Sequence, residues 1–180
     1  MESKRNSSGT TLVELLTAIS IAAILMAIAI PSYKYVTNVN RIASEINGLL
    51  GDMQYARIEA AKEGQTVTVC PSANGQTCLA STSWNSGWIV FSDPANIGTV
   101  DAGETVLRVR QAFNSTDSAV SDNGIQTVTF NRDGFAQLAP AVTTVKVHDS
   151  TNNAVYTRCL AITKVGSMTT QKPAGGNNCT

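Results

Sequence analysis

The stretch from Leu12 to Ile30 is an almost unbroken apolar run whose only charge is Glu14. As a helix it would be about 28 Å long, close to the roughly 30 Å hydrocarbon core of a bilayer. Lys4 and Arg5 precede it against a single Glu2. A positive flank stays on the cytoplasmic side, so everything after Pro31 is expected to cross the membrane.

A cleaved secretory signal is the competing reading, because Ala27-Ile28-Ala29 has the small-x-small pattern found after an h-region. Three features oppose it. The apolar run exceeds the usual roughly 7–15 residues of an h-region, Pro31 sits just past the cut, and Glu14 lies within the run. A carboxylate in hydrocarbon is costly unless it protonates or meets a cation, which marks an intramembrane acid as a functional candidate. A discarded signal needs no such residue.

Export agrees with the cysteines. Cys70, Cys78, Cys159 and Cys179 are an even set that could close two bridges in an oxidising compartment. Zinc is the other reading, but neither interval has the tight spacing of a structural zinc site. Of the three connectivities, the local one, Cys70 with Cys78 and Cys159 with Cys179, costs least to close. It would hold down a polar tail ending in Lys172-Pro173-Ala174-Gly175-Gly176-Asn177-Asn178.

A chain of 180 residues allows one ordinary domain besides this anchor. Its 13 basic side chains balance its 13 acidic ones, which gives no global electrostatic case for nucleic acid, acidic lipid or acidic substrates. Beyond Pro31, apolar residues recur in steps of three and four: Val36, Val39, Ile42, Ala43, Ile46, Leu49, Leu50, Met53, Ala56 and Ala60. That is one helical stripe. Lys34, Asn38, Asn40, Arg41, Glu45, Asn47, Asp52 and Arg57 fall between them and are assigned to a wet face, with the helix stopping at Gly64.

Strands are expected at Thr66–Cys70, Trp88–Phe91, Thr105–Val109, Gln126–Phe130, Val142–Val147 and Ala154–Ile162. Asn123-Gly124 and Asp133-Gly134 read as tight turns or hairpins, Ala73-Asn74-Gly75 and Asp101-Ala102-Gly103 as surface loops. The expected fold is α+β: one antiparallel sheet laid across a long helix.

The segment Gly9-Thr10-Thr11-Leu12-Val13-Glu14-Leu15-Leu16 resembles the prepilin signature of type IV pilins and type II secretion pseudopilins. The resemblance implies cleavage by a prepilin peptidase between Gly9 and Thr10, and N-methylation of Thr10, where the family usually has Phe or Met. It makes Glu14 the fifth mature residue, where the family has its acid, and matches Pro31 to the proline that kinks pilin helices. Four parts follow: a leader over residues 1–9, a membrane and assembly segment over 10–31, an amphipathic helix over 32–63, and a periplasmic β-rich head over 64–180. Ala56 to Pro71, Trp88 to Asp93 and Gly103 to Arg108 further resemble the GspH/FimT subfamily. Its members are minor pilins and minor pseudopilins that prime filament assembly.

The implied partners are other minor pilins, the major pilin, the prepilin peptidase and the inner-membrane assembly platform. The implied location is the inner membrane, then the pilus, in support of motility, adhesion or DNA uptake. A type II secretion minor pseudopilin is the closest alternative. A Cys159–Cys179 bridge is similar to the C-terminal disulfide loop of type IV pilins and favours the pilus.

Other chemistries fit less well. The one histidine, His148, has no nucleophile near it in sequence, so an enzyme is not expected. Asp93, Asn96, Asp101 and Glu104 cluster in one loop region without calcium-loop spacing, and no metal or cofactor is expected. Some FimT-type relatives bind DNA through a C-terminal Gly-Arg-x-Arg motif; here Lys164-Val165-Gly166-Ser167-Met168 has no arginine after the glycine. Arg158, Lys164 and Lys172 could form a small patch, whose few phosphate contacts imply weak, salt-sensitive binding.

Overall fold

A computed structural model of the chain describes residues 11–95, 97–138 and 141–179. Gly9, Thr10 and Asn96 lie outside the described residues. One helix, α1 (Leu12–Glu63), contains Pro31 and passes through two compact units whose boundary falls between Thr37 and Asn38. In the first unit the helix is exposed on every side, with Leu12 at 74%. It is the one helix among the described residues that is long and apolar enough to cross a membrane. Two hydroxyls of its apolar run are satisfied within the helix, Thr17 donating to the Glu14 carbonyl and Ser20 to that of Leu16, as polar groups in hydrocarbon must be.

The second unit is the head. Gly64, at φ 70°, ends α1, and its N–H donates to the Ala60 carbonyl. The helical stripe buries Ile42, Ile46, Leu49, Met53, Ala56 and Ala60. Val36 lies outside this buried set, 48% exposed.

The strands are β1 (Val67–Pro71), β2 (Trp88–Ser92), β3 (Val106–Arg110), β4 (Ser118–Ser121), β5 (Val128–Phe130), β6 (Ala136–Gln137), β7 (Val142–His148), β8 (Arg158–Thr163) and β9 (Met168–Gln171). They form two antiparallel sheets rather than the single one expected. One has the order β3-β2-β1-β5-β6 and the other β4-β7-β8-β9. Pairing in the first sheet ends at the two-residue β6, and twisted open sheets of many strands tend to split into packed pairs. Both sheets share a core with α1, in which Val67, Val90 and Phe130 meet Val145, Leu160 and Ile162.

Several expected boundaries move for local reasons. Strand β8 starts at Arg158, not Ala154, because the Asn153 carbonyl accepts from the N–H groups of Tyr156 and Thr157 and coils that segment into a turn. Asn123-Gly124, at φ 52° and 70°, is a tight turn that links strands of different sheets and so closes no hairpin. Strands β4, β6 and β9 are short and polar, and periodicity did not reveal them.

Both disulfides are local. Cys70–Cys78 folds the β1–β2 loop over the outer face of the first sheet, where Cys78, Val100 and Val106 cover Cys70, Ile89 and Phe91. Cys159–Cys179 lays the tail against the second sheet, and Thr144 Oγ1 donates to the Cys179 carbonyl.

Candidate functional site

The acid that the sequence singles out stands at the start of α1. Thr11 is the N-cap: its Oγ1 accepts from the Glu14 N–H at 3.3 Å and its carbonyl from the Leu15 N–H at 3.1 Å. Thr11-x-x-Glu14 is thus a capping-box sequence, and the helix dipole favours an anion in this first turn. The cap uses the backbone of Glu14, whose exposed carboxylate has no hydrogen-bond partner among the described residues. Around it Leu12, Val13, Leu15 and Leu16 are exposed. An unpaired carboxylate at one end of a bare apolar helix can accept a cation from another molecule as that helix packs.

In the head, polar residues assigned to a wet face instead bind the helix to the strands. Asp52 is 3% exposed. Its Oδ2 accepts from Trp88 Nε1 at 3.0 Å and from Arg110 Nε at 3.1 Å, and its Oδ1 accepts from Arg108 at 3.1 Å. The Arg108 guanidinium also stacks 3.6 Å from the centre of the Tyr55 ring. Eleven residues earlier, Arg41 makes a bidentate pair with Asp117, Nε at 2.5 Å and a second nitrogen at 2.9 Å. Five residues after Asp52, Arg57 donates to the carbonyls of Gly134 and Val165, one in each sheet's loops.

Sequence reasoning missed these ties because charge alone reads as solvation. A usable signal was present: Glu45, Asp52 and Glu59 recur every seven residues along one border of the stripe, and Arg108 and Arg110 alternate onto one strand face.

The proposed DNA patch is not assembled as one cluster. Cys159 pairs with Gln171, which brings Arg158 and Lys172 to the same end of the β8–β9 ladder. Lys164 lies in the turn at the opposite end, about 20 Å away at the rise of a strand. Arg158 spends its guanidinium on the carbonyls of Val155 and Thr157. Because β8 runs extended from Arg158 to Thr163, sequence proximity of Lys164 to Arg158 did not translate into spatial proximity.

The loop acids serve the backbone. Asp93 Oδ2 accepts from the Gly98 N–H at 2.7 Å and Glu104 Oε2 from that of Asp101 at 2.8 Å. Among the described residues no group of three or more His, Cys, Asp or Glu side chains could hold a metal ion. His148 Nδ1 contacts the Asp149 carbonyl oxygen at 2.8 Å at the end of β7.

Comparison with known proteins agrees with this architecture. No curated protein sequence matches the chain significantly. Two crystal structures of the Pseudomonas aeruginosa type IV minor pilin FimU share its fold, at 20% and 19% identity and TM-scores of 0.55 and 0.56. The matches cover 74% and 77% of this chain and 92% of FimU in both cases. The profile of the prokaryotic N-terminal methylation motif matches residues 4–30, around Glu14. That of the type II transport protein GspH matches residues 45–166, the larger part of the head and more than half of the chain. The protein therefore belongs to the GspH family and carries the pilin-like methylation motif at its N-terminus.

Proposed function

We propose that this chain is a minor type IV pilin that helps prime filament assembly and is incorporated into the pilus. The observation that carries the reading is Glu14, an acid without a partner among the described residues, in the exposed apolar part of α1 and inside a matched methylation motif. Cleavage after Gly9 would release a positive amine at Thr10, at the same depth as the acids of neighbouring subunits. In low dielectric each charge is costly alone and tolerable when paired, so the pair sets register between packed helices. Pro31 is proposed to relieve that helix with a kink. The partners on this reading are other minor pilins and the major pilin, after processing by the prepilin peptidase at the inner membrane and handover to the assembly platform.

The test is Glu14→Val. The variant should insert into the membrane as the wild type does and be depleted in sheared surface filaments; equal incorporation overturns the reading. Mass spectrometry of the mature N-terminus adds a separate check, with methylated Thr10 expected.

The family profile itself, named for a type II transport protein, supports a second reading as a minor pseudopilin. Deletion separates the two: loss of surface pili supports the first, loss of protein secretion with pili intact supports the second.

A further inference from the structure

Two carboxyl groups and one guanidinium meet where α1 touches the segment joining β3 to β4. Arg41 holds both oxygens of Asp117, whose side chain is fully buried. One turn along the helix, Glu45 Oε1 accepts from Ser115 Oγ at 3.0 Å, and Ser115 Oγ accepts from the Asp117 N–H at 3.3 Å. Glu45 Oε2 is buried and has no hydrogen-bond partner among the described residues, and the Glu45 carboxyl is near enough to Asp117 for the two charges to act on each other. If both acids ionise, the cluster has one negative charge too many for its single arginine. An orphaned carboxylate oxygen at that place is what a missing proton would leave.

We propose that Glu45 carries a proton toward Asp117 and that the two form a proton-sensitive latch that fastens the Phe113–Asp117 segment to α1. With the proton in place, Glu45 Oε2 becomes an O–H donor toward Asp117, and Arg41 neutralises the one remaining charge. Without it, two carboxylates repel across the contact. Burial first, then the charge of Asp117, raises the Glu45 carboxyl to about 7. Arg41 and the Ser115 hydroxyl pull the other way.

The surrounding charges leave Glu45 as the group that changes. Arg110 lines the same groove and is engaged by Asp52. Asp149 acts on Arg41 from the β7–β8 turn. Burial opposes its ionisation, but hydrogen bonds from Thr151 and Asn153, together with His148 and Arg41, hold its carboxyl below the usual range. The released segment has somewhere to go. A groove of about 360 Å³ lies beside it, lined by Glu45, Trp88, Arg110 and Phe113. Phe113, half-buried at the edge of the core, makes an edge-on contact with Trp88 at 6.1 Å and donates its N–H to the Asn85 carbonyl.

The experiment is hydrogen exchange by mass spectrometry on the full chain in detergent micelles at pH 6 and pH 8, corrected for the intrinsic rate. Peptides covering residues 113–117 should lose protection by roughly tenfold at the higher pH. Glu45→Gln should abolish that difference, and His148→Gln should leave it intact, since histidines ordinarily titrate in the same range. Equal protection at the two pH values, a difference that persists in Glu45→Gln, or one that disappears in His148→Gln, overturns the latch. If Glu45→Gln does not fold, Asp117→Asn decides: the midpoint should move to more acidic pH, and an unmoved midpoint overturns the proposal.

Discussion

Replacing Asp52 by alanine removes the acceptor of Trp88 Nε1 and of two arginines at once. The indole is left buried without a partner, whereas Arg108 and Arg110 are half exposed and can turn to water. The expected loss is about 2–4 kcal/mol, read as a lower denaturation midpoint at unchanged slope; Asp52→Asn should cost less because it keeps one acceptor. Gly166→Ala acts by geometry instead. At φ 75° its Cβ would lie 2.1 Å from the Gly134 carbonyl oxygen and 2.8 Å from Arg57 Nε. Neither neighbour can yield without breaking the bond between them. A loss of about 2–4 kcal/mol is expected, and a thermal melt within a degree of wild type would contradict the placement of that loop.

At the scale of elements, the Cys159–Cys179 bridge holds a tail that is also tied to the head by hydrogen bonds from Thr144 to the Cys179 carbonyl and from Asn177 to that of Asn152. Cys179→Ser should cost about 3 kcal/mol by the loop-entropy estimate and expose the chain after Gln171 to limited proteolysis. The elements themselves were unevenly legible. Ile42, Ile46, Leu49, Met53, Ala56 and Ala60 announced their stripe because one helix face must be dry, and Gly64 its end because the chain turns left-handed there. Strands β1 and β2 were readable as continuous apolar runs, being buried on both faces. β4 and β9 were not, since both are short and polar and take their places from the strands they pair with: Val120 opposite Lys146, far along the chain, and Thr169 opposite Ala161, across a turn. The same holds for the sites. Glu14 stood out against an apolar run, where any charge is conspicuous, but Glu45 and Asp117 lie 72 residues apart and meet only through the fold.

For the molecule as a whole, Glu45 sets a pH dependence with a definite sign. Its proton is bound more tightly in the folded chain, so folding is penalised progressively as pH rises from its ordinary value of 4.5 to about 7, and by a constant amount above that. Glu45→Gln should therefore gain on wild type through that window, by about 1–2 kcal/mol once solvent screening of a partly exposed carboxyl is allowed for. Urea titrations at pH 5, 6, 7 and 8 measure this, and parallel stabilities across them would refute it. Binding of duplex DNA is expected to be weak and to vanish at moderate salt, because Lys164 stands apart from Arg158 and Lys172. A gel shift that survives moderate salt and falls on mutating Lys164 and Lys172 together would reverse that expectation.

The polar ties at Arg41, Asp52 and Arg57 also have a mechanical side. They are distributed along one helix and reach different strands and loops. A pull along the axis of residues 38–63 loads all three in parallel, as rivets in shear, whereas a pull on the edge strand β9 opens its pairs one by one, like a zipper. Tweezers attached in the two geometries should therefore record a higher rupture force for the first, and equal forces would show that the ties carry no load. A head built this way can pass tension through its helix while its surface edge stays free to yield.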